Sequence, residues 1–160
     1  GVIERGTAGE TSVLSGTLNN GEATGVPIIR RLIREIPSGR TAVIDCPPGS
    51  SCAVMESIRQ ADFCLLVAEP TLFGIENMKL AAQLVLEFQK PCGILINKEM
   101  GKSEEVDRTA KKFHLPILAR IPYDRELARA TARGELAGGT YGSVFQSLLK
   151  TMEETAVKEA

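Results

Sequence analysis

Apolar residues recur along this chain in two rhythms. In "VPIIRRLIREI" (26–36), Val26, Ile29, Leu32, Ile33 and Ile36 are spaced to share one side of a helix. "TAVID" (41–45), "DFCLLVAEP" (62–70), "PCGILINK" (91–98) and "LPILARIP" (115–122) are short apolar runs bounded by turn-forming or polar residues. Such runs predict strands, and "DFCLLVAEP" is apolar on both faces, as a central parallel strand is. Longer amphipathic stretches separate them: "AVMESIRQA" (53–61), "GIENMKLAAQLVLEFQK" (74–90) and "SEEVDRTAKKFH" (103–114). Two further helical stretches follow at 123–133 and 142–158. "TSVLSGTL" (11–18) predicts one more strand, punctuated by "NNGE" (19–22).

Strands that alternate with helices predict an α/β fold with a mostly parallel β-sheet, right-handed crossovers and helices on both faces. The chain of 160 residues has the length of a single domain, and no repeat, low-complexity tract or linker divides it. "GELAGGTYG" (134–142) reads as an ordinary loop between helices.

Composition narrows the classes. With 43% hydrophobic and 24% charged residues the chain is expected to be globular rather than disordered. A formal net charge of −1 supplies no basic surplus for nucleic acid and no polybasic face for a membrane. No apolar run approaches the ~20 residues that cross a bilayer. Cys46, Cys52, Cys64 and Cys92 contain no CxxC pair, and the Cys46–Cys52 spacing fits no zinc or iron–sulfur pattern. Cys64 and Cys92 lie in predicted strands, where thiols act as small apolar groups, so a reducing cytoplasm is the expected compartment. The chain begins with Gly1 and has no signal peptide, which reads as a truncated or tagged chain or a fragment of something longer.

An open parallel sheet binds ligands at the carboxyl ends of its strands. Four segments occupy those ends: Asp45-Cys46-Pro47-Pro48-Gly49, Glu69-Pro70-Thr71, Asn97-Lys98 and Pro122-Tyr123-Asp124. An aspartate at a strand tip can hold Mg²⁺ through the ion's own waters. A following glycine lets a backbone N–H approach a terminal phosphate. Asp45 and Gly49 fit that pattern, and they equally fit a turn whose acid caps the helix starting near residue 52. Asn97-Lys98 is like the start of the guanine-reading NKxD loop, but Met100 stands where the acid belongs. That disfavours a GTPase and leaves Asn97 as a candidate for an adenine edge, or for bonding within its own loop. "GKS" (101–103) is not a phosphate-binding loop, because Ile96 stands where G-x-x-x-x-G-K-[ST] needs its first glycine. His114, the single histidine, sits where it would cap a helix end.

"VIDCPPGSSC", "ADFCLLVAEPTLFGIENM", "GILINK" and "ARIPYDRELARA" together resemble the carboxyl-terminal two-thirds of a MinD/ParA-type P-loop ATPase. The match is nearest to the MinD-superfamily ATPases that carry an inserted ferredoxin domain, and "GVIERGTAGETSVLSGTLNNGEATGVPIIRRL" resembles the segment after that insert. The resemblance implies that Asp45 orders Mg²⁺ and its waters in the switch and that Gly49 senses the γ-phosphate. It implies that Asn97, with Lys98 beside it, contacts adenine, that Pro122, Tyr123 and Asp124 close over the base, and that Pro47, Pro48, Glu69, Pro70 and Thr71 belong to switch and partner loops. ATP and Mg²⁺ follow as cofactors of the intact protein, with an iron–sulfur cluster in the insert and a redox or iron–sulfur client. The family's GKGGxGKT loop and cluster cysteines are absent from these residues. Two functions therefore stand: the carboxyl-terminal segment of an ATPase switch, not active alone, or a binding scaffold that keeps the sheet without nucleotide. In the family the P-loop strand lies between the strand bearing Asp45 and strand 62–68. Without it, the sheet either closes up or leaves bare edges. A homo-oligomer is expected, most simply a two-fold dimer that uses the Asp45–Cys52 segment or the amino-terminal strand.

Overall fold

The last three apolar runs of the chain pair into one parallel sheet. The computed structural model describes residues 1–101, 103–135 and 138–158. Its sheet is made of β3 (Cys64–Ala68), β4 (Cys92–Glu99) and β5 (Ile117–Pro122), in the order β3-β4-β5. The crossovers are α3 (Leu72–Glu87) and α4 (Glu104–Lys112), and β5 leads into α5 (Arg125–Ala132) and α6 (Gly138–Lys158). The first half holds β1 (Val2–Ala8), β2 (Thr11–Thr17), α1 (Val26–Arg34) and α2 (Cys52–Gln60). The chain divides after Ala61 into two compact units, each taken by itself below. Among the described residues no helix is long and apolar enough to cross a membrane.

In the second unit β4 lies between two hydrogen-bonded neighbours, with Leu66 opposite Ile94 and Ile94 opposite Ile117. Successive side chains of a strand point to opposite faces. Leu95 joins Ile121, Tyr141 and Leu148 in a buried cluster, with Leu65, Leu118 and Leu127 packed against it. Ile94 and Ile96, both 0% exposed, point the other way, toward the side that holds α3 and α4. Those helices bury Ile75, Met78, Ala82, Val85, Val106 and Ala110. The result is the expected α/β arrangement, a parallel sheet flanked by helices.

The helices are closed by recognisable ends. Thr71 caps α3, its hydroxyl accepting from the Gly74 N–H at 3.0 Å. Gln89, His114 and Gly134 each adopt positive φ one residue past a C-cap. The next N–H then reaches back to an orphan carbonyl: Lys90 to Val85, Leu115 to Ala110 and Glu135 to Ala130. His114 thus closes a helix through its backbone, in the position that the sequence suggests.

The first unit contains an unanticipated strand. β1 pairs antiparallel with β2, from Val2 opposite Thr17 to Ala8 opposite Thr11. The reversal needs only Gly9 and Glu10, with Gly9 at φ +60°, as a tight hairpin with Gly in its first loop position does. β1 lacks clean alternation because most of its residues are exposed. Ile28 and Leu32 of α1 lie directly over Gly16, where a β-carbon would collide with Ile28. Glu35 accepts from Arg5 and Arg31, and Arg30 pairs with Glu56 of α2 at 3.0 Å.

Two expectations need correction. "TAVID" is not a strand: residues 41–47 have no regular structure and Val43 is 86% exposed. Asp45 consequently does not sit at a strand tip. A strand is stable only when a neighbour takes its N–H and C=O groups, and β-branched composition does not replace that neighbour. Nor is "DFCLLVAEP" central. β3 pairs with β4 alone among the described residues, and its Val67 is 61% exposed. The loop expected at 134–142 is shorter, since α6 begins at Gly138; positions 136–137 and Lys102 of "GKS" lie outside the described residues.

Ile96→Ala removes a fully enclosed side chain from the central strand, and such truncations cost about 2–5 kcal/mol. Urea denaturation is expected to show that loss, whereas Val67→Thr on the exposed face stays within about 0.5 kcal/mol.

Candidate functional site

Because β3, β4 and β5 run parallel, their carboxyl ends lie along one edge of the sheet. Glu69 follows Ala68 directly. Thr71 N donates to the Glu69 carbonyl at 2.8 Å, across Pro70, in a tight turn. Gly74 sits under this turn, and a β-carbon there would strike the Glu69 carbonyl. Gly74 therefore shapes the loop, a role that sequence reasoning missed; the only signal was a cap residue, Thr71, three places ahead of it.

At the end of β4 the chain leaves regular pairing. The register with β5 shifts between Ile96 and Glu99, and Lys98 takes φ +56°. Left-handed backbone at a lysine is uncommon and marks a bulge that re-aims side chains. Asn97 Oδ1 accepts the Lys98 N–H at 3.0 Å. The Lys98 ammonium reaches Glu69 Oε1 at 2.5 Å, so the ends of β3 and β4 are tied by an ion pair. The Glu69 carboxylate raises the Lys98 pKa, through its hydrogen bond first and its charge second. Arg120 pairs with both Glu99 and Asp107, linking β5 to β4 and α4.

The third segment is fastened on two sides. Tyr123 N donates to the Glu99 carbonyl at 3.0 Å, prolonging the β4–β5 pairing by one residue. Asp124 caps α5: its Oδ1 accepts from Glu126 N at 2.8 Å and Leu127 N at 3.2 Å, while Oδ2 accepts from the Tyr141 hydroxyl at 3.0 Å. These bonds hold the Asp124 carboxyl below the ordinary aspartate range, led by the Leu127 N–H and then the Tyr141 hydroxyl. Burial and the bond to Asp124 push the Tyr141 hydroxyl up. Tyr141 was not a sequence candidate, and nothing in spacing alone links it to Asp124. A cavity of about 270 Å³ opens beside this pair, lined by Leu127, Ala130, Arg133 and Thr140 among others. Its charged groups are engaged internally, Glu126 with Arg129 and Arg133 with Glu135. The strand-end residues Glu69, Asn97 and Lys98 are not part of its lining.

In the first unit, Asp45, Pro47, Pro48 and Gly49 lie on an exposed stretch ahead of α2. Ser51, not Asp45, is the N-cap residue of α2. The Asp45 carboxylate has no hydrogen bond or ion pair among the described residues. Gly49 has φ +90° with open space where a β-carbon would stand. Cys46 is exposed, and partial desolvation pushes its thiol up against an opposing hydrogen bond with Ser57. Cys52 is exposed, Cys64 half-buried and Cys92 buried in β4. No group of three or more His, Cys, Asp or Glu among the described residues is arranged to hold a metal ion. The cysteines of this chain therefore do not fit an iron–sulfur cluster, while the open Asp45 carboxylate suits a water-mediated contact to Mg²⁺.

No protein-family model matches the chain. Over 93 residues it is 28% identical to an uncharacterized protein of Methanocaldococcus jannaschii, a match that covers 58% of this chain and 31% of that protein. Among solved structures, the cell division ATPase MinD of Pyrococcus furiosus superposes with a TM-score of 0.61 at 19% identity, covering 82% of this chain and 58% of that one. The MinD cell division protein of Aquifex aeolicus gives a TM-score of 0.62 at 20% identity, covering 80% and 61%. At these identities the likeness is one of fold. The chain spans less than two thirds of the length of each of these three proteins.

The depressed Asp124 pKa has a consequence for acid stability. A carboxyl whose folded pKa lies below its unfolded value adds stability above the unfolded value and loses it as pH falls. Thermal melting is expected to weaken as pH drops below about 4. Asp124→Asn keeps a capping oxygen but cannot titrate, so its melting temperature should fall less steeply over the same range.

Proposed function

We propose that this chain is the base-side, carboxyl-terminal portion of a MinD/ParA-like ATP-dependent switch. The observation that carries the reading is the convergence of Glu69, Asn97, Lys98 and Tyr123 at the carboxyl edge of a parallel sheet with a MinD-like fold. An amide, an ammonium and an aromatic ring within one rim suit a planar base that carries an anionic tail. In this proposal Asn97 bonds the adenine edge, Pro122–Asp124 forms the wall beside it, and Glu69–Thr71 faces a partner. Asp45 holds Mg²⁺ through water, and Gly49 offers its N–H to the terminal phosphate. Bound Mg²⁺ would supply charge neutralisation for phosphoryl transfer. The residues of this chain do the orienting, and the phosphate-cradling loop would come from polypeptide outside them. In this proposal an iron–sulfur cluster and its redox client would belong to the larger protein, and the cysteines here take no part in holding it. In this reading the chain is part of a cytoplasmic protein that assembles as a homodimer.

A non-catalytic scaffold is the second reading. It is favoured by Glu69 already occupying the Lys98 ammonium and by Leu72 and Phe73 lying 79% and 78% exposed at the start of α3.

Nucleotide titrations separate the two. A micromolar site is worth about 8 kcal/mol, and a phosphate loop supplies several charged bonds of roughly 1.5–3 kcal/mol each. MgATP is thus expected to bind this chain only at millimolar levels, and still better than MgGTP, because Met100 offers no acceptor to guanine. Equal shifts with ATP and GTP, or none with either, would favour the scaffold. In a longer protein that includes these residues, Asp45→Asn should lower turnover far more than ATP affinity; unchanged turnover removes Asp45 from the mechanism. Light scattering at tens of micromolar is expected to give the mass of a dimer, and a strict monomer at every concentration refutes that assembly.

A further inference from the structure

Asp124 ends the proposed base wall, and most of its carboxylate is already used. Two backbone N–H groups occupy Oδ1 and the Tyr141 hydroxyl occupies Oδ2. Three of the roughly four acceptor positions of this carboxylate are therefore filled, which leaves a ligand at most one lone pair, on Oδ2. Tyr141 is itself anchored, only 8% exposed and packed in the cluster with Leu95, Ile121 and Leu148. A chain of contacts therefore runs from the core of the sheet through Tyr141 to Asp124. On the other side of the loop, Tyr123 is fixed by its N–H to Glu99, one residue beyond the end of β5. Its side chain remains 48% exposed, so its backbone is fixed while much of the ring is left uncovered. The Tyr123 side chain lies near the Lys98 ammonium. Every base has a face that stacks on an aromatic ring, and such stacking tolerates different bases.

We propose that Tyr141 is a positioning residue for the Pro122–Asp124 loop, and that the loop presents the ring of Tyr123, not the carboxylate of Asp124, to a nucleobase. The inference rests on the proposed nucleotide reading and assigns roles within that site. The Tyr141 hydroxyl holds Asp124 back, Asp124 holds the start of α5, and the intervening peptide sets the angle of the Tyr123 ring. Discrimination between adenine and guanine then falls to Asn97 and Met100, while Tyr123 contributes affinity to both.

The chain has two tyrosines and no tryptophan, which makes the test direct. Tyrosine-ring labelling gives two sets of aromatic NMR signals, assigned with Tyr123→Phe. Adenosine monophosphate at millimolar concentration is the probe, with Asn97 side-chain signals followed in the same titration. The expected result is movement of the Tyr123 ring and of Asn97, with the Tyr141 ring nearly still. Tyr141→Phe keeps the core filled and removes only the hydroxyl. Asp124→Ser keeps a helix cap but is too short to reach Tyr141. Both variants should retain the wild-type circular dichroism spectrum and lose most of the Tyr123 response, a severalfold reduction. If Asn97 responds and Tyr123 does not, or if both variants keep the full Tyr123 response, the positioning proposal is overturned and the nucleotide reading stands. If neither Asn97 nor Tyr123 responds, both are overturned.

Discussion

Pairing of β4 on both of its edges is the constraint from which the rest of the described architecture follows. Each residue of an inserted strand has a donor and an acceptor to place, and burial without partners costs more than apolar composition returns. β4 meets that demand through β3 on one side and β5 on the other. Its apolar residues can then be enclosed completely, with Ile94 and Ile96 on one face and Leu95 on the other. The parallel sense forces each connection to cross over as a helix, and these helices cover the faces. The same sense brings Glu69, Asn97 and Tyr123 to one rim, although they are far apart in sequence.

Chemistry at the rim is arranged by local interruptions of that order. Lys98 leaves regular strand geometry, shifts the β5 register and swings its ammonium to Glu69. Pro70 and Gly74 fold the next turn tightly, so that Thr71 can cap α3. Asp124 ends the β5 run by turning it into α5. Each interruption is held by named hydrogen-bond partners, backbone or side-chain. Asp45 and Gly49 stand on a stretch without such a frame in the first unit.

Much of this was legible in the order of residues. The helix expected at 74–90 spans Leu72–Glu87, the strand expected at 91–98 spans Cys92–Glu99, and the helix at 103–114 spans Glu104–Lys112. These segments succeed because periodicity, end signals and burial agree. β1 was missed because a hairpin strand exposed on both faces has no apolar period to detect, and its one cue was Gly9 at the reversal. Thr41–Asp45 failed for the opposite reason, since it has the composition of a buried strand and no neighbour to bury it.

Local information, then, set the alternation of helices and strands, the chain reversals and the residue types at the strand ends, because propensity and spacing act within a few residues. Tertiary structure alone decided which strands have partners, that Lys98 is drawn to Glu69, and that Tyr141, seventeen positions after Asp124, takes the second oxygen of its carboxylate. Those outcomes depend on hydrogen-bond partners delivered from distant parts of the chain. Neither pair falls within the few residues over which local propensity acts.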